Sequence, residues 1–194
     1  DEIHLNHERV THFFYIVSGL VASVTPNSTD GIDYDLFYGE NTLMKETNFF
    51  LNLPTVIYSK CLKDTTICKF DVSLFDKKFF DNHFDIFMNF LYVSAVKNNM
   101  HAFTRKLRLC PTAIQRLAIY LVALSDHFKR ADVLYPRLNQ TYIGKMLGIS
   151  HASMVRSVQR LKACAILKSY LPKSGIVISD YDRLKDIALG NTLE

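Results

Sequence analysis

The sequence predicts an α+β protein with an N-terminal antiparallel β-roll, a long helix and a C-terminal winged helix-turn-helix. Three observations carry this. Short runs rich in β-branched and aromatic residues, separated by turns and without intervening helices, fill residues 10–70. A long stretch free of Gly and Pro then repeats apolar residues at helical spacing. Last come a helix, a helix-turn-helix and a basic-tipped hairpin, an order more specific than any one of the three pieces.

In the roll, residues 13–24 read as a strand pair broken at Gly19, and residues 26–31 as a turn. Residues 32–38, 56–60 and 66–70 read as further strands, and residues 75–82 as a short helix. The texture then changes. Across residues 83–109, Phe84, Met88, Leu91, Ala95, Asn98, Ala102, Arg105 and Leu109 recur at alternating steps of four and three. This is a narrow seam with a polar Asn98 inside it, on a helix that would span ~40 Å. It is a dimer seam, with Asn98 setting register, or a face packed on the roll, and a helix of this length could do both along its course. Pro111 ends the helix, and residues 112–128 form another, with Ile114, Leu117, Ala118, Leu121 and Leu124 on one face.

The helix-turn-helix occupies residues 138–162. Ile143, Met146 and Leu147 sit at helical spacing, Gly144 lets a second helix approach, and Gly148 supplies a turn with positive φ. Ser150 caps the second helix, whose Met154, Val158 and Leu161 point inward. Residues 167–170, a Pro172-Lys173-Ser174-Gly175 turn and residues 176–178 form the hairpin, and residues 181–188 a closing helix. The division expected is 1–82, 83–110 and 111–194.

The chain has 194 residues, 48% of them hydrophobic, enough for one large or two small cores. The net charge of +4 is mild but unevenly placed. Arg105, Lys106, Arg108, Arg116, Lys129, Arg130, Arg137, Lys145, Arg156, Arg160, Lys162, Lys168 and Lys173 face only Asp126 and Asp132, so the second half is the basic half. Cys61, Cys68, Cys110 and Cys164 are far apart with no Cys-x-x-Cys, which supports neither zinc nor an iron–sulfur cluster. Their pattern suits thiols in a reducing compartment. With no run of 18 apolar residues and no secretory signal, a cytoplasmic protein without membrane contact is expected. The chain begins at Asp1 rather than Met, so a preceding segment is expected. No Gly-rich phosphate loop or nucleophile elbow is present, and His4, His7 and His12 do not make a ligand cluster, so no enzyme is expected.

These residues resemble the Crp/Fnr superfamily of bacterial transcription regulators along nearly the whole chain. The resemblance rests on the Ile-Val-Ser-Gly-Leu-Val run at residues 16–21, Tyr38-Gly39-Glu40-Asn41, the long helix, and residues 138–162 with Gly148-Ile-Ser-His-Ala-Ser-Met-Val-Arg. It looks closest to the branch that includes the chlorophenol-responsive regulators of halorespiration. It implies a cyclic-nucleotide-binding-like roll that binds an effector, a homodimer joined by the central helix, palindromic double-stranded DNA under the winged helices, and RNA polymerase as a partner of an activator. It also implies that a hinge near residues 109–112 relays effector binding to the DNA-binding part.

The departures matter. Where cyclic-nucleotide-binding members carry Gly-Glu-Leu and Arg-Ser, this chain reads Leu43-Met44-Lys45-Glu46 and Leu53-Pro54-Thr55-Val56, with no arginine for a buried phosphate. Cyclic nucleotide, haem and an iron–sulfur cluster are therefore not expected, and the effector is an unknown small molecule. Its pocket is assigned to Tyr38, Leu43, Met44, Lys45, Phe49 and Leu91, with Lys45 for an acid group. Alternatively the aromatic residues Phe37, Tyr38, Phe49 and Phe50 are roll core. A further alternative is a ligand-free roll that serves only as a dimerisation scaffold.

By the same resemblance the second helix of the motif enters the major groove, so Ser150, His151, Ala152, Ser153 and Arg156 face base edges. Members that read a G·C pair carry Arg and Glu where His151 and Ala152 stand here. Loss of the Glu removes an acceptor for cytosine, and the Ala152 methyl suits thymine, which predicts A·T-rich half-sites with at most one guanine each, read by Arg156. His151 touches a base or a phosphate, or is a solvated cap residue. Gln140, Thr141, Lys145, Arg160, Lys162, Lys168 and Lys173 are assigned to phosphates, which position without specifying.

Overall fold

The computed structural model describes residues 2–3, 9–27, 31–54, 58–134, 138–171 and 175–191. Contacts divide the chain into two compact units, residues 1–102 and 103–194. The first unit holds strands β1 (Glu2–Ile3), β2 (His12–Ser18), β3 (Val21–Asn27), β4 (Gly31–Tyr38) and β5 (Thr42–Met44), then helix α1 (Glu46–Phe50). Strands β6 (Tyr58–Cys61) and β7 (Thr66–Asp71), a short 3-10 turn, helix α2 (Lys77–Asn82) and the long helix α3 (Phe84–Leu109) follow.

All strand pairs of this unit are antiparallel, in two sheets of order β1-β6-β3-β4 and β5-β2-β7. The roll expected from short strands is therefore present. Strand β5 and helix α1 were not expected, because three residues and five residues are too few to show a period. The strand expected at residues 56–60 runs from Tyr58 to Cys61, and residues 56–57 lie outside the described residues.

Strand β2 shows why the roll closes. Its alternation sends Phe14 and Ile16 to one buried cluster with Val21 and Met44. Phe13 goes to the other face, where its ring meets Phe49 at 4.9 Å, Phe75 at 5.0 Å and Phe90 at 5.2 Å, all edge-on. Such ring pairs add about 0.5–1.5 kcal/mol each beyond the area they bury. Gly19 turns β2 into β3 at φ +106°, where a Cβ would stand 2.6 Å from the Asp64 carbonyl oxygen. Only glycine fits there.

On α3 the packed face and the seam are different faces. Phe90 is buried and Ser94 and Lys97 are half-buried, whereas the seam residues Phe84, Met88, Leu91, Ala95, Asn98, Ala102 and Arg105 are all exposed. Phe84 is 64% exposed, Met88 48%, Leu91 44% and Leu109 85%. Of the two readings of the seam, packing on the roll is the one the structure does not bear out.

The second unit contains the end of α3, helices α4 (Ala113–His127), α5 (Gln140–Leu147) and α6 (His151–Ala163), strands β8 (Leu167–Leu171) and β9 (Gly175–Ile178), and helix α7 (Tyr181–Ala188). Its core is aliphatic and continuous: Leu107, Leu117, Leu121, Ile143, Leu147, Met154, Leu161, Ile166 and Leu184 are all buried in one cluster. The helical faces read from sequence supply these residues. Leu134 extends the hairpin by exchanging two 2.8 Å backbone hydrogen bonds with Ile176. On α7, the Tyr181 hydroxyl donates to Asp126 at 2.7 Å while Arg130 lies 4.1 Å above its ring. Acceptance by that carboxylate holds the Tyr181 hydroxyl's pKa above its usual value.

Candidate functional site

The second unit presents helix α6 outward by two caps and a turn. Asn139 caps α5 through the Tyr142 amide, and Gly148 ends it in the left-handed region at φ 62°. The Ile149 amide returns to the Gly144 carbonyl at 2.8 Å, and any Cβ on Gly144 would stand 3.2 Å from the Ile149 carbonyl oxygen. The Ser150 hydroxyl then accepts from the Ser153 amide and starts α6.

Met154, Ser157, Val158 and Leu161 face the core. The opposite stripe, Ala152, Arg156, Gln159 and Ala163, is exposed at steps of four, three and four. His151 is exposed beside it. Arg156 donates from Nη2 to the Ser153 hydroxyl at 3.1 Å, and that hydroxyl lies 3.1 Å from Ser150 Oγ. Three of the five residues assigned to base edges thus form one chain at the N-terminus of α6. That end also offers unbonded amides and a positive dipole to a phosphate.

Of the residues assigned to phosphates, Thr141, Lys145, Lys162 and Lys168 are exposed and Gln140 is half-buried. Arg160 lines a cleft of about 180 Å³ with Pro111, Gln115 and Ile187, on the flank of the stripe. Lys173 lies outside the described residues. Sequence reasoning missed Gln159, which its period on α6 could have found. Arg108 and Arg116, counted in the basic half of the sequence, both point inward. Arg108 donates to the Met146 carbonyl at 3.5 Å, and Arg116 donates to Leu147 and Gly148 carbonyls at 3.3 and 3.0 Å.

The first unit holds a polar cavity of about 190 Å³ lined by Ser23, Tyr38, Met44, Lys45, Glu46, Ser59, Lys97, Asn98 and His101, among others. Of the six residues assigned to an effector pocket, Tyr38, Met44 and Lys45 line this cavity. The other three do not line it. Phe49 belongs to the ring cluster around Phe13, Leu91 is exposed on α3, and Leu43 contributes its carbonyl, which accepts from Lys97. Phe50 joins the same ring cluster through Phe80, Phe87 and Phe90.

Charge crosses this cavity. Lys97 Nζ on α3 meets both Glu46 carboxylate oxygens at 2.9 Å, with side chains 12% and 1% exposed. The ammonium also lies 5.0 Å from the Tyr38 ring centroid. Burial lowers the Lys97 pKa against the opposing pull of Glu46. Lys45, at φ 76°, is pushed down to about 8 by burial and by the Lys97 charge. Burial raises the Tyr38 hydroxyl to about 12, the nearby Glu46 and Asp35 charges adding to the rise while a hydrogen bond with Ser23 opposes it. Among the described residues no group of three His, Cys, Asp or Glu is placed to hold a metal ion, and no helix is long and apolar enough to cross a membrane.

A helix, a capped helix-turn-helix and a three-membered wing in this order define a winged helix-turn-helix unit of the DNA-binding class. Residues 115–187 match the Crp-like helix-turn-helix domain family. No curated protein matches the chain. Solved structures share its fold over nearly the full length. FixK2 from Bradyrhizobium japonicum is 18% identical with a TM-score of 0.75, covering 99% of this chain and 94% of that one. A mutant of CooA from Carboxydothermus hydrogenoformans is 18% identical with a TM-score of 0.76, covering 97% and 87%. CprK in its OCPA complex is also 18% identical, with a TM-score of 0.67, covering 96% and 85%. The whole chain therefore has the Crp/Fnr fold, and the chlorophenol-responsive branch expected from sequence is only one among several structures that share it.

Proposed function

We propose that the protein is a sequence-specific transcription regulator that binds A·T-rich palindromic double-stranded DNA as a homodimer in the cytoplasm. The observation that carries this is the exposed Ser150-Ser153-Arg156 chain at the N-terminus of α6, inside a Crp-like domain. Arg156 offers a guanidinium to guanine and Ala152 a methyl to thymine, while Lys145 on α5, Lys162 on α6 and Lys168 on β8 are exposed for phosphates. The exposed apolar seam of α3 is the surface for the second copy. RNA polymerase as the partner of an activator rests on the family alone.

The polar cavity is the proposed effector site. It accepts a small molecule rather than a cyclic nucleotide, since an arginine for the phosphate is missing from the sequence of this region. An OCPA-like effector, as in the CprK complex, is one candidate. A second reading has its own support: Lys97 and Glu46 satisfy each other across the cavity, so the roll would hold α3 without any ligand. An effector must favour one arrangement over another to matter. Selection of duplexes from a random library by the purified protein, with and without cell metabolites, separates these. A palindromic, A·T-rich consensus with at most one guanine per half-site supports the DNA reading, and the absence of any enriched duplex overturns it. Enrichment identical in both conditions favours the scaffold. Arg156→Ala should weaken the selected duplex by about 1–3 kcal/mol and relax its sequence preference.

A further inference from the structure

Helix α5 ends with a complete account of its carbonyls, and that account leads outside the helix. The last carbonyls of a helix have no partner within it and must find one. The Ile149 amide takes the Gly144 carbonyl and the Gly148 amide takes that of Lys145, the two bonds of a Schellman motif around a left-handed glycine. Met146 and Leu147 remain. Arg108, in the last turn of α3, donates to the first, and Arg116, in the first turn of α4, donates to the second.

Arg116 does more than cap. Its Nη1 also reaches the Gly148 carbonyl at 3.0 Å, and its Nε reaches the Cys110 carbonyl at 2.8 Å. One planar guanidinium therefore bonds the link between α3 and α4 on one edge and the α5–α6 turn on another. The fork is rigid, so the Cys110 and Gly148 carbonyls cannot move apart without breaking a charge-assisted bond. The turn has little slack of its own, since a Cβ on Gly148 would stand 3.3 Å from Arg116 Nη1 and 3.7 Å from the Arg108 side chain. Two residues after Gly148 comes Ser150, the cap of α6.

We infer that Arg116 is a positioning residue that couples the α3–α4 link to the DNA-reading helix through the Cys110 and Gly148 carbonyls. It touches no base; it sets where the N-terminus of α6 lies when the link shifts. Arg108 supports it from the end of α3. The inference rests on the DNA-binding reading for its meaning, though its geometry lies wholly within residues 103–194.

Coupling is reciprocal, so DNA bound at α6 must be felt at Cys110. The half-buried Cys110 thiol, which donates to the Lys106 carbonyl, is a natural reporter. In a background with Cys61→Ser, Cys68→Ser and Cys164→Ser, saturating selected duplex should change the rate of Cys110 alkylation at least five-fold, the lower end of ordinary coupling. Arg116→Lys keeps the cation near α5 but cannot span both carbonyls, and should bring that ratio close to one while the melting temperature stays near that of the parent. An unchanged ratio in Arg116→Lys, or no effect of DNA on Cys110 in the parent, overturns the inference. A second arm needs no DNA: amide exchange at Gly148–Ser150 before and after Cys110 alkylation should respond in the parent and not in Arg116→Lys. If no duplex is ever selected the functional reading fails, and this arm still decides the coupling.

Discussion

The two units use charge in opposite ways. In the first, a lysine and a glutamate are buried against each other to fasten α1 to α3, and a separate cluster of phenylalanine rings is gathered from β2, α1, α2 and α3. In the second, a mainly aliphatic core is built from helix faces and the hairpin, and Arg116 turns inward to donate to backbone carbonyls at the end of α5 and in the α3–α4 link. That leaves the exposed stripe of α6 for a polyanion. The helix faces and turns of the second unit are marked by residues close in sequence, although it too has distant pairs such as Tyr181–Asp126, 55 positions apart; the pair that ties α1 to α3 in the first unit, 51 positions apart, has no local mark. Residues 115–187 match a sequence family, while the likeness of the first unit to known proteins rests on fold.

The sharpest way to break this comparison is at the buried pair. Glu46→Ala should cost about 3–5 kcal/mol in urea unfolding, because it leaves the Lys97 charge buried and unpaired. Replacing both residues with Met should recover most of that loss. A cost below about 1 kcal/mol for Glu46→Ala would mean that the rings alone hold the first unit. A smaller effect sharpens the same point at Lys45. Its pKa is held at about 8 against an ordinary value of about 10.5. Between these values the unfolded chain binds a proton that the folded chain does not, so stability from this site rises with pH across that window. The cost is present in full at lower pH. Lys45→Met should therefore unfold at a higher temperature than the parent at about pH 7, and the gap should close as pH rises toward about 10.5. A gap constant with pH would show a fully solvated ammonium.

How much was legible follows the same division. The faces of α4, α5 and α6, the Ser150 cap, the Gly148 turn and the hairpin could all be read because each signal spans a few residues, whereas the Asn139 cap of α5 was not read. The strands around Gly19 were legible for the same reason. Strand β5 and helix α1 were too short for a period. The Lys97–Glu46 pair could not be read at all, since nothing local marks either residue as the other's partner. Phe49 looked like a pocket residue because an aromatic beside a lysine has the same appearance in sequence whether it faces a ligand or other rings. Arg116 entered the sequence reading only as one charge of the basic half, because charge can be read from sequence and direction cannot.

On the proposed reading Arg156, held at the N-terminus of α6, reads the preferred guanine of an A·T-rich half-site. A titration cycle tests it directly, pairing the parent and Arg156→Ala with the selected duplex and with the same duplex carrying adenine for that guanine. The parent should lose about 1–3 kcal/mol on the altered duplex, and Arg156→Ala should bind the two duplexes alike. Equal discrimination by both proteins would contradict the account.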